Sequence, residues 1–351
     1  MAAGLDDKGN EVIGLWDTTG NEVVMALAAE RRSAGGVASG LALTLVAVVE
    51  EKHVREAEAA ATIAASAHPC RLLIVVRSDL DGRSRLDAEI VVGGRLGPAE
   101  AVVMRMYGRL ALHAESVVMP LLAPDVPVVT WWHSEPPDVI ANDFLGVVAD
   151  RRITDSKLAA DPVAALKQRA VDYAPGDTDL TWTRITLWRT LVAGAFDTTE
   201  ERVTGASIVA PLNDPTAALM KGWLQSRLGI EPTWAHTDRS PRMHSVQLMC
   251  ANGDCVKVTR EEGTALFSRT GQEDRYMPLP RRTVGDELAE ELRRLDADQI
   301  YGEALGAMAG ITGLDQRPPM RVHVWKDPAL AAAAGATEEA GAFAGPGGTA
   351  A

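Results

Sequence analysis

Several kinds of residue and segment are scarce in this sequence, and each absence excludes a class of protein. Only three cysteines occur among 351 residues, which excludes a secreted disulfide framework and favours a reducing compartment. No apolar run approaches the roughly 20 residues needed to span a bilayer, and the N-terminus lacks the basic and apolar segments of a signal peptide. We therefore expect a cytoplasmic protein with no membrane partner.

Positive charge is also scarce. The chain has 35 lysines and arginines against 48 aspartates and glutamates, which gives a net charge of -13 at pH 7. An acidic protein of this kind lacks the basic surface that neutralises phosphates, so nucleic acid is not expected as a partner. Hydrophobic residues make up 46% and charged residues 24%, the mixture typical of a globular protein.

Motifs whose spacing is fixed by chemistry are missing as well. The sequence contains no phosphate-binding loop, no dinucleotide-binding glycine motif and no nucleophile elbow. The glycine-rich stretch at 35–40 precedes a predicted strand rather than a helix, so it is interpreted as a turn. The seven histidines include no H-E-x-x-H pair and the cysteines no C-x-x-C. No catalytic residue, cofactor or metal site is predicted.

The length of the chain favours two domains, because single cores rarely grow beyond roughly 250 to 300 residues. Residues 1–20 are polar and glycine-rich and are expected to be flexible. An N-terminal α/β domain is predicted for 21–155, a helical connector for 156–200, a C-terminal α/β domain for 201–327 and a disordered Ala/Gly-rich tail for 328–351. The predicted fold class is α/β, with two mixed sheets covered by helices.

Hydrophobic periodicity places the individual elements. Apolar or alternating runs predict strands at 41–49, 72–76, 86–92, 126–132, 207–211, 246–250, 255–259 and 265–269. Helical spacing predicts helices at 22–32, 52–67, 110–121, 215–228 and 284–308, and two more between 161 and 196.

The sharpest local feature is the segment Val128–Pro137, where a predicted strand enters a loop. In an open α/β sheet, ligands gather beyond the carboxyl ends of the strands, and exposed tryptophans are strong interface anchors. Trp131, Trp132, His133 and Glu135 are therefore predicted to form a partner-facing patch. The alternatives are that both tryptophans pack beneath helices while His133 caps a turn, or that His133 and Glu135 form an acid/base pair.

Two arginines are secondary candidates for partner binding. The predicted helix around Trp182 has an apolar face, because Trp182, Ile185 and Trp188 recur at three-residue steps. Arg184 and Arg189 lie on its polar side.

Two cysteines flank a predicted hairpin. Asn252-Gly253 between β-branched runs is typical of a two-residue type I′ turn, which would set Cys250 and Cys255 face to face. Such a pair is slightly too far apart for a relaxed disulfide, so both a strained bridge and two reduced thiols remain open. Cys70 enters a buried strand and is predicted to be an inert, packed thiol.

Several segments in order resemble one family. They are Trp16-Asp17-Thr18-Thr19-Gly20, the stretch at 34–40, Ala67-His68-Pro69-Cys70-Arg71, the stretch at 103–108, Val129-Thr130-Trp131-Trp132 and the stretch at 177–184. Together they resemble the glucose-6-phosphate dehydrogenase assembly proteins, the OpcA family of actinobacteria. The resemblance runs from about residue 10 to residue 325.

The resemblance implies a non-catalytic partner that binds glucose-6-phosphate dehydrogenase and activates it or assists its assembly in the oxidative pentose phosphate pathway. In photosynthetic relatives the family is associated with thiol redox control, which makes redox control through Cys250 and Cys255 a hypothesis here. One alternative is a sugar-phosphate-binding enzyme or sensor with two closing halves, in which Arg71, Arg105 and Arg109 hold the phosphate. Another is a passive scaffold for dehydrogenase subunits.

Overall fold

The computed structural model describes residues 2–5, 11–33, 40–92, 100–196 and 201–323, and these form two mixed β-sheets packed with helices. The predicted α/β class is confirmed. The strands are β1 (Ala2–Leu5), β2 (Glu11–Leu15), β3 (Leu43–Val49), β4 (Cys70–Arg77), β5 (Arg85–Val92), β6 (Glu100–Tyr107), β7 (Val128–His133), β8 (Arg151–Thr154), β9 (Asp177–Asp179), β10 (Val203–Ala210), β11 (Thr233–His236), β12 (Ser245–Cys250), β13 (Cys255–Arg260), β14 (Thr264–Arg269) and β15 (Arg275–Pro278). The helices are α1 (Gly20–Ser33), α2 (Val54–Ala67), α3 (Arg109–Leu112), α4 (Glu115–Val118), α5 (Phe144–Val147), α6 (Pro162–Val171), α7 (Leu180–Arg184), α8 (Thr186–Gly194), α9 (Pro215–Leu228), α10 (Val284–Glu291) and α11 (Gln299–Ala309).

The first sheet has nine strands in the order β1-β2-β5-β6-β4-β3-β7-β8-β9. The six strands from β6 to β9 in this order are parallel, and β1, β2 and β5 join antiparallel at one edge. Every residue of β3 is buried, as is expected of a parallel strand covered by helices on both faces. Its continuous apolar run is therefore the sequence pattern of a central strand.

The strand order of this sheet reverses between β3 and β7. The strand β4 follows β3 in the chain and pairs with it on one side, whereas β7 pairs with its other side. The register sets Val49 opposite His133 at the carboxyl ends of these two strands. A reversal of this kind opens the crevice in which open α/β sheets bind ligands.

Each face of the first sheet has its own core. Because side chains alternate along a strand, β3 sends Val46 and Val48 to the core shared with α1 and α4, and Leu45 and Ala47 to the core shared with α2 and α10. Leu288 of α10 belongs to this second core. A helix from the end of the chain thus covers the first sheet.

The second sheet has six strands in the order β11-β10-β12-β13-β14-β15. β10 and β11 are parallel and are connected through α9, while the other pairs are antiparallel. One face of this sheet packs on α8, α9 and α11, with Trp188, Ile208 and Val258 in a continuous core. The predicted strands β10, β12, β13 and β14 and the predicted helix α9 are confirmed.

Two predictions for the N-terminal half are wrong in detail. Residues predicted to be flexible within 1–20 include β2, which pairs with β5 and buries Ile13 and Leu15. The helix predicted at 110–121 is divided into α3, α4 and a 3₁₀ turn at Met119–Leu121. Strand β6, which contains Arg105 and ends at Tyr107 before Gly108, was not predicted from the sequence.

The prediction of one helix at 284–308 is also wrong, because this segment forms two separate helices, α10 and α11. Asp298 starts α11 by accepting a hydrogen bond from the backbone N–H of Tyr301 at 3.0 Å, a standard N-cap. Leu288 of α10 belongs to the core of the first sheet, and Leu305 of α11 belongs to that of the second. The two helices therefore serve different sheets.

The predicted domain boundaries stay a prediction. The first sheet extends to Asp179, within the predicted connector. Its last strand, β9, lies between α6 and α7 in the chain and pairs with β8. The predicted turn at 35–40 lies mostly outside the described residues, and the tail at 328–351 lies wholly outside them. Within the described ranges, no helix is long and apolar enough to cross a membrane.

Candidate functional site

The two neighbouring tryptophans of β7 are core residues. Trp131 and Trp132 are 0% and 1% exposed, and strand alternation places Trp131 in the core of the α2 face and Trp132 in that of the α1 face. The prediction that they face a partner is wrong, and the alternative of packing beneath helices is confirmed. Of the four residues predicted for the patch, Glu135 is the one that is exposed.

His133 lies at the carboxyl end of β7 and is fully buried. It is in contact with Glu56 rather than with Glu135, since its Nε2 atom lies 3.3 Å from the Glu56 carboxylate. The ring of His53 is 5.7 Å away, centroid to centroid. His53 and Glu56 were not predicted as site residues, because they lie just before α2 and in its first turn, far from His133 along the chain.

Arg184 is held in an internal ion-pair cluster. Its two terminal nitrogens each donate to a different Asp155 oxygen at 2.6 Å, and Nη2 lies 2.7 Å from Glu287. Burial lowers the pKa of Arg184, but the two carboxylates outweigh burial and raise it above its ordinary value. Arg184 thus joins α7 to α10 instead of presenting its charge to a partner.

Arg189 is half-buried and stacks on a tryptophan. Its guanidinium carbon lies 3.5 Å from the ring centroid of Trp182, and its Nη2 atom donates to Thr186 at 3.1 Å. Burial lowers the pKa of Arg189 to about 10, so the side chain remains charged at neutral pH. The six predicted partner residues therefore do not form one surface.

A cavity of about 490 Å³ lies beyond the carboxyl end of β10, where α9 begins. We call it the arginine cavity. Its charged lining residues are Lys157, Arg184, Arg242, Arg260, Arg281, Arg282 and Asp214. Asp214 caps α9 by accepting from the backbone N–H of Thr216 at 2.8 Å. Arg184 is already paired with Asp155 and Glu287. The other five basic residues against one acidic residue still make this a cationic cavity in a protein of net charge -13.

Arg260 is a partly buried cation of the arginine cavity. Its Nε atom donates to the carbonyl of Met243 at 3.0 Å, and its guanidinium lies 5.2 Å from the ring centroid of Trp188. Burial lowers the pKa of Arg260 to about 10, and the neighbouring Arg242 contributes to the shift. An anion bound here would oppose both effects, because it would stabilise the charged guanidinium.

Arg71 and Arg105, two of the three arginines predicted to hold a phosphate, are not close together, so that prediction is wrong. Arg71 is buried at the start of β4, where it donates to Glu100 at 2.8 Å. Arg105 lies near the carboxyl end of β6, the strand next to β4, and contacts Glu51 and Glu89. The register pairs Arg71 with Glu100 and Arg105 with Val76, which separates the two arginines along the strands.

The predicted register of the cysteine hairpin is also wrong. Cys255 pairs with Met249, and the backbone N–H of Cys250 donates to the carbonyl of Asp254 at 2.8 Å. Gly253 has a φ of +88°, which a longer turn with a bulge requires. Because neighbouring side chains of a strand point to opposite faces, Cys250 and Cys255 lie on opposite faces, and both are free thiols.

This arrangement predicts an order of thiol reactivity. Burial raises the pKa of Cys70 to about 12 and raises that of Cys250, while Cys255 is partly exposed. Alkylation of the folded protein at pH 8, followed by mass mapping, is expected to modify Cys255 first and Cys70 only after unfolding. Mild oxidation is expected to leave Cys250 and Cys255 unbridged, and a disulfide between them would contradict the register.

Comparison with known families gives two adjacent matches. A family model described as the glucose-6-phosphate dehydrogenase subunit N-terminal domain matches residues 61–171. A second, described as the C-terminal domain of the same subunit, matches residues 175–305.

Two cyanobacterial proteins are similar in sequence, and both are described as a putative OxPP cycle protein OpcA. The protein of Synechococcus elongatus is 30% identical over 187 residues, covering 48% of this chain and 42% of the relative. The protein of Synechocystis is 28% identical over 209 residues, covering 54% of this chain and 44% of the relative. The chain therefore spans less than half the length of these curated relatives.

Among solved structures, an oxidoreductase from Sinorhizobium meliloti is similar with a TM-score of 0.43 and 9% identity, over 78% of this chain and 97% of the other. At this TM-score the similarity indicates nothing about the activity of this chain.

Proposed function

The chain belongs to the family of the glucose-6-phosphate dehydrogenase subunit, also called OpcA, and from this we propose that it binds a glucose-6-phosphate dehydrogenase and raises its activity without catalysing a reaction itself. The observation that carries the proposal is the pair of consecutive matches at 61–171 and 175–305. The setting would be the oxidative pentose phosphate pathway of the cytoplasm. The actinobacterial type stays a prediction.

The family-like segment at 177–184 has a structural role that suits a non-catalytic protein. Asp179 is fully buried and accepts hydrogen bonds from Thr154, from Ser156 and from the backbone N–H of Thr181, at distances of 2.7 to 2.9 Å. It thereby caps α7 and ties β8 to β9. A carboxylate engaged in this way serves the fold.

Complex formation is the first test of the proposal. Size-exclusion chromatography with light scattering of this chain mixed with the dehydrogenase of the same organism is expected to show a complex heavier than either protein alone. Glu135, which remains exposed, is the proposed partner contact, so Glu135→Lys is expected to weaken the complex. The exposed Glu262→Lys is the matched control and should leave it unchanged. Absence of a complex at micromolar concentrations of both proteins would contradict the proposal.

We propose a sugar phosphate ligand as a second candidate function, because five basic residues line the arginine cavity besides the ion-paired Arg184. Guanidinium groups hold phosphate oxygens through paired hydrogen bonds. The proposed anion contacts are Arg242, Arg260 and Arg282, in place of the Arg71, Arg105 and Arg109 predicted from the sequence. Among these three, burial lowers the pKa of Arg260, and a bound anion would stabilise its charge.

Thermal unfolding tests this second candidate in the isolated chain. Glucose 6-phosphate is expected to raise the Tm of the wild type by a few degrees, because a ligand that binds only the folded state stabilises it. Arg260→Met is expected to abolish the rise, and the exposed Arg239→Met should retain it. An equal rise with inorganic phosphate would identify phosphate as the recognised group. A wild-type Tm that neither compound changes would eliminate this function.

A further inference from the structure

Three potential metal ligands meet at the crevice between β3 and β7. His53 and Glu56 come from the turn that follows β3 and from the first turn of α2, and His133 ends β7. Their ligand atoms all lie within 4.8 Å of one another. This is the point of the first sheet where the strand order reverses, which is the usual ligand position of an open α/β sheet.

Two of the three distances between these atoms fit ligands of one metal ion. The Glu56 Oε2 atom is 3.3 Å from Nε2 of His133 and 3.5 Å from Nδ1 of His53. Two ligands bound tetrahedrally to zinc at about 2.0–2.1 Å lie about 3.3–3.4 Å apart. The third distance, between the two imidazole nitrogens, is at most 4.8 Å, so the three ligand atoms face one position that an ion would occupy.

Hydrogen bonding does not account for the cluster. His133 is fully buried, yet among the described residues neither of its ring nitrogens has a hydrogen-bond partner. A buried imidazole in this state is costly unless another group satisfies it. The contact with Glu56 has the distance of an ion pair without the geometry of a hydrogen bond, which a shared metal ion explains.

We propose that His53, Glu56 and His133 form a site for a divalent transition-metal ion of the zinc type. Two imidazoles and one carboxylate are the ligand set that zinc and non-haem iron use when a coordination position stays open. The ion would tie the start of α2 to the end of β7. The side chains of His53 and Glu56 are 34% and 58% exposed, so the open position faces solvent.

The sequence predicted no metal site because it contains no short ligand motif. His53 and Glu56 are spaced i,i+3, which puts them on one face of the chain as it enters α2. The third ligand follows from the pairing of β7 with β3, a tertiary contact that no local spacing shows.

The test is titration of the chelator-treated chain with Zn²⁺ by calorimetry and with Co²⁺ by visible absorption. The wild type is expected to bind one ion per chain and to give the absorption of four- or five-coordinate cobalt. His53→Ala and Glu56→Gln, at partly exposed positions, are each expected to weaken zinc binding by about tenfold or more. His133→Ala should abolish it, and circular dichroism checks that each variant is folded.

Two variants serve as matched controls. His113→Ala removes a histidine whose Nδ1 atom lies 3.2 Å from Glu115 without a third ligand, and Cys255→Ser removes the partly exposed thiol. Both should bind zinc as the wild type does. No stoichiometric binding by the wild type, or unchanged affinity in both His53→Ala and Glu56→Gln, would overturn the proposal.

Discussion

Replacement of Arg184 by methionine is expected to lower the free energy of unfolding at pH 7 by about 3–5 kcal/mol. Asp155 and Glu287 are 2% and 6% exposed, and both depend on Arg184 for their opposite charge. Burial already raises the pKa of Glu287, and loss of the cation would remove the main effect that opposes this rise. Urea denaturation followed by circular dichroism measures the change.

The sign of the pH dependence separates this explanation from a loss of packing. In the variant, the folded-state pKa of the unpaired carboxyls is expected to lie above the unfolded value. The folded variant then binds more protons than its unfolded state in this pH range. The difference in free energy of unfolding between wild type and variant should therefore become smaller as the pH falls from 7 to 5. The matched control is Arg293→Met, which removes an exposed pair with Glu290 and should cost less than about 1 kcal/mol. Equal losses in the two variants would contradict a structural role for the cluster.

Substitution of Gly222 by valine is expected to destabilise the protein by about 3 kcal/mol or more. Gly222 lies where α9 crosses α11, and a Cβ atom there would meet the Ala304 carbonyl oxygen at 2.1 Å and the Met308 backbone nitrogen at 2.9 Å. Backbone atoms cannot rotate away as a side chain can. The helices would therefore have to separate, which would expose part of the core that they share.

Gly205→Val is the control for Gly222→Val. A Cβ atom at Gly205 would lie 4.0 Å from Met249 Cβ, an ordinary contact in a strand, so the change in the free energy of unfolding is expected to stay within about 1 kcal/mol. A thermal unfolding midpoint for Gly222→Val that matches the control would show that the two helices are not in close contact.

The elements that the sequence predicted are those with strong local signals. The buried run of β3 and the helix α9, with its Asp214 cap and with Gly229 at its end, are local patterns and are confirmed. The separation of α10 and α11 was missed because apolar residues continue at helical spacing through both. The reason for the separation is tertiary: Leu288 packs in the core of the first sheet and Leu305 in that of the second, so one straight helix could not serve both.

The candidate sites were harder to predict because tertiary contacts assemble them. Trp131 and Trp132 looked like surface anchors at the end of a strand, but helices on both faces of the sheet bury them. The cations of the arginine cavity come from separate loops and strand ends, such as Arg242, Arg260 and Arg282, and no spacing in the sequence links them. His133 was predicted as a site residue, yet its neighbours His53 and Glu56 were not.

The measurement that tests the central proposal most directly is the initial rate of the dehydrogenase against glucose 6-phosphate concentration, with and without the purified chain. A saturable rise in rate or in apparent affinity, with no turnover by the chain alone, is the predicted result. A complex without any kinetic change would mean a passive scaffold. Unchanged kinetics without complex formation, or turnover of glucose 6-phosphate by the chain alone, would contradict the proposal.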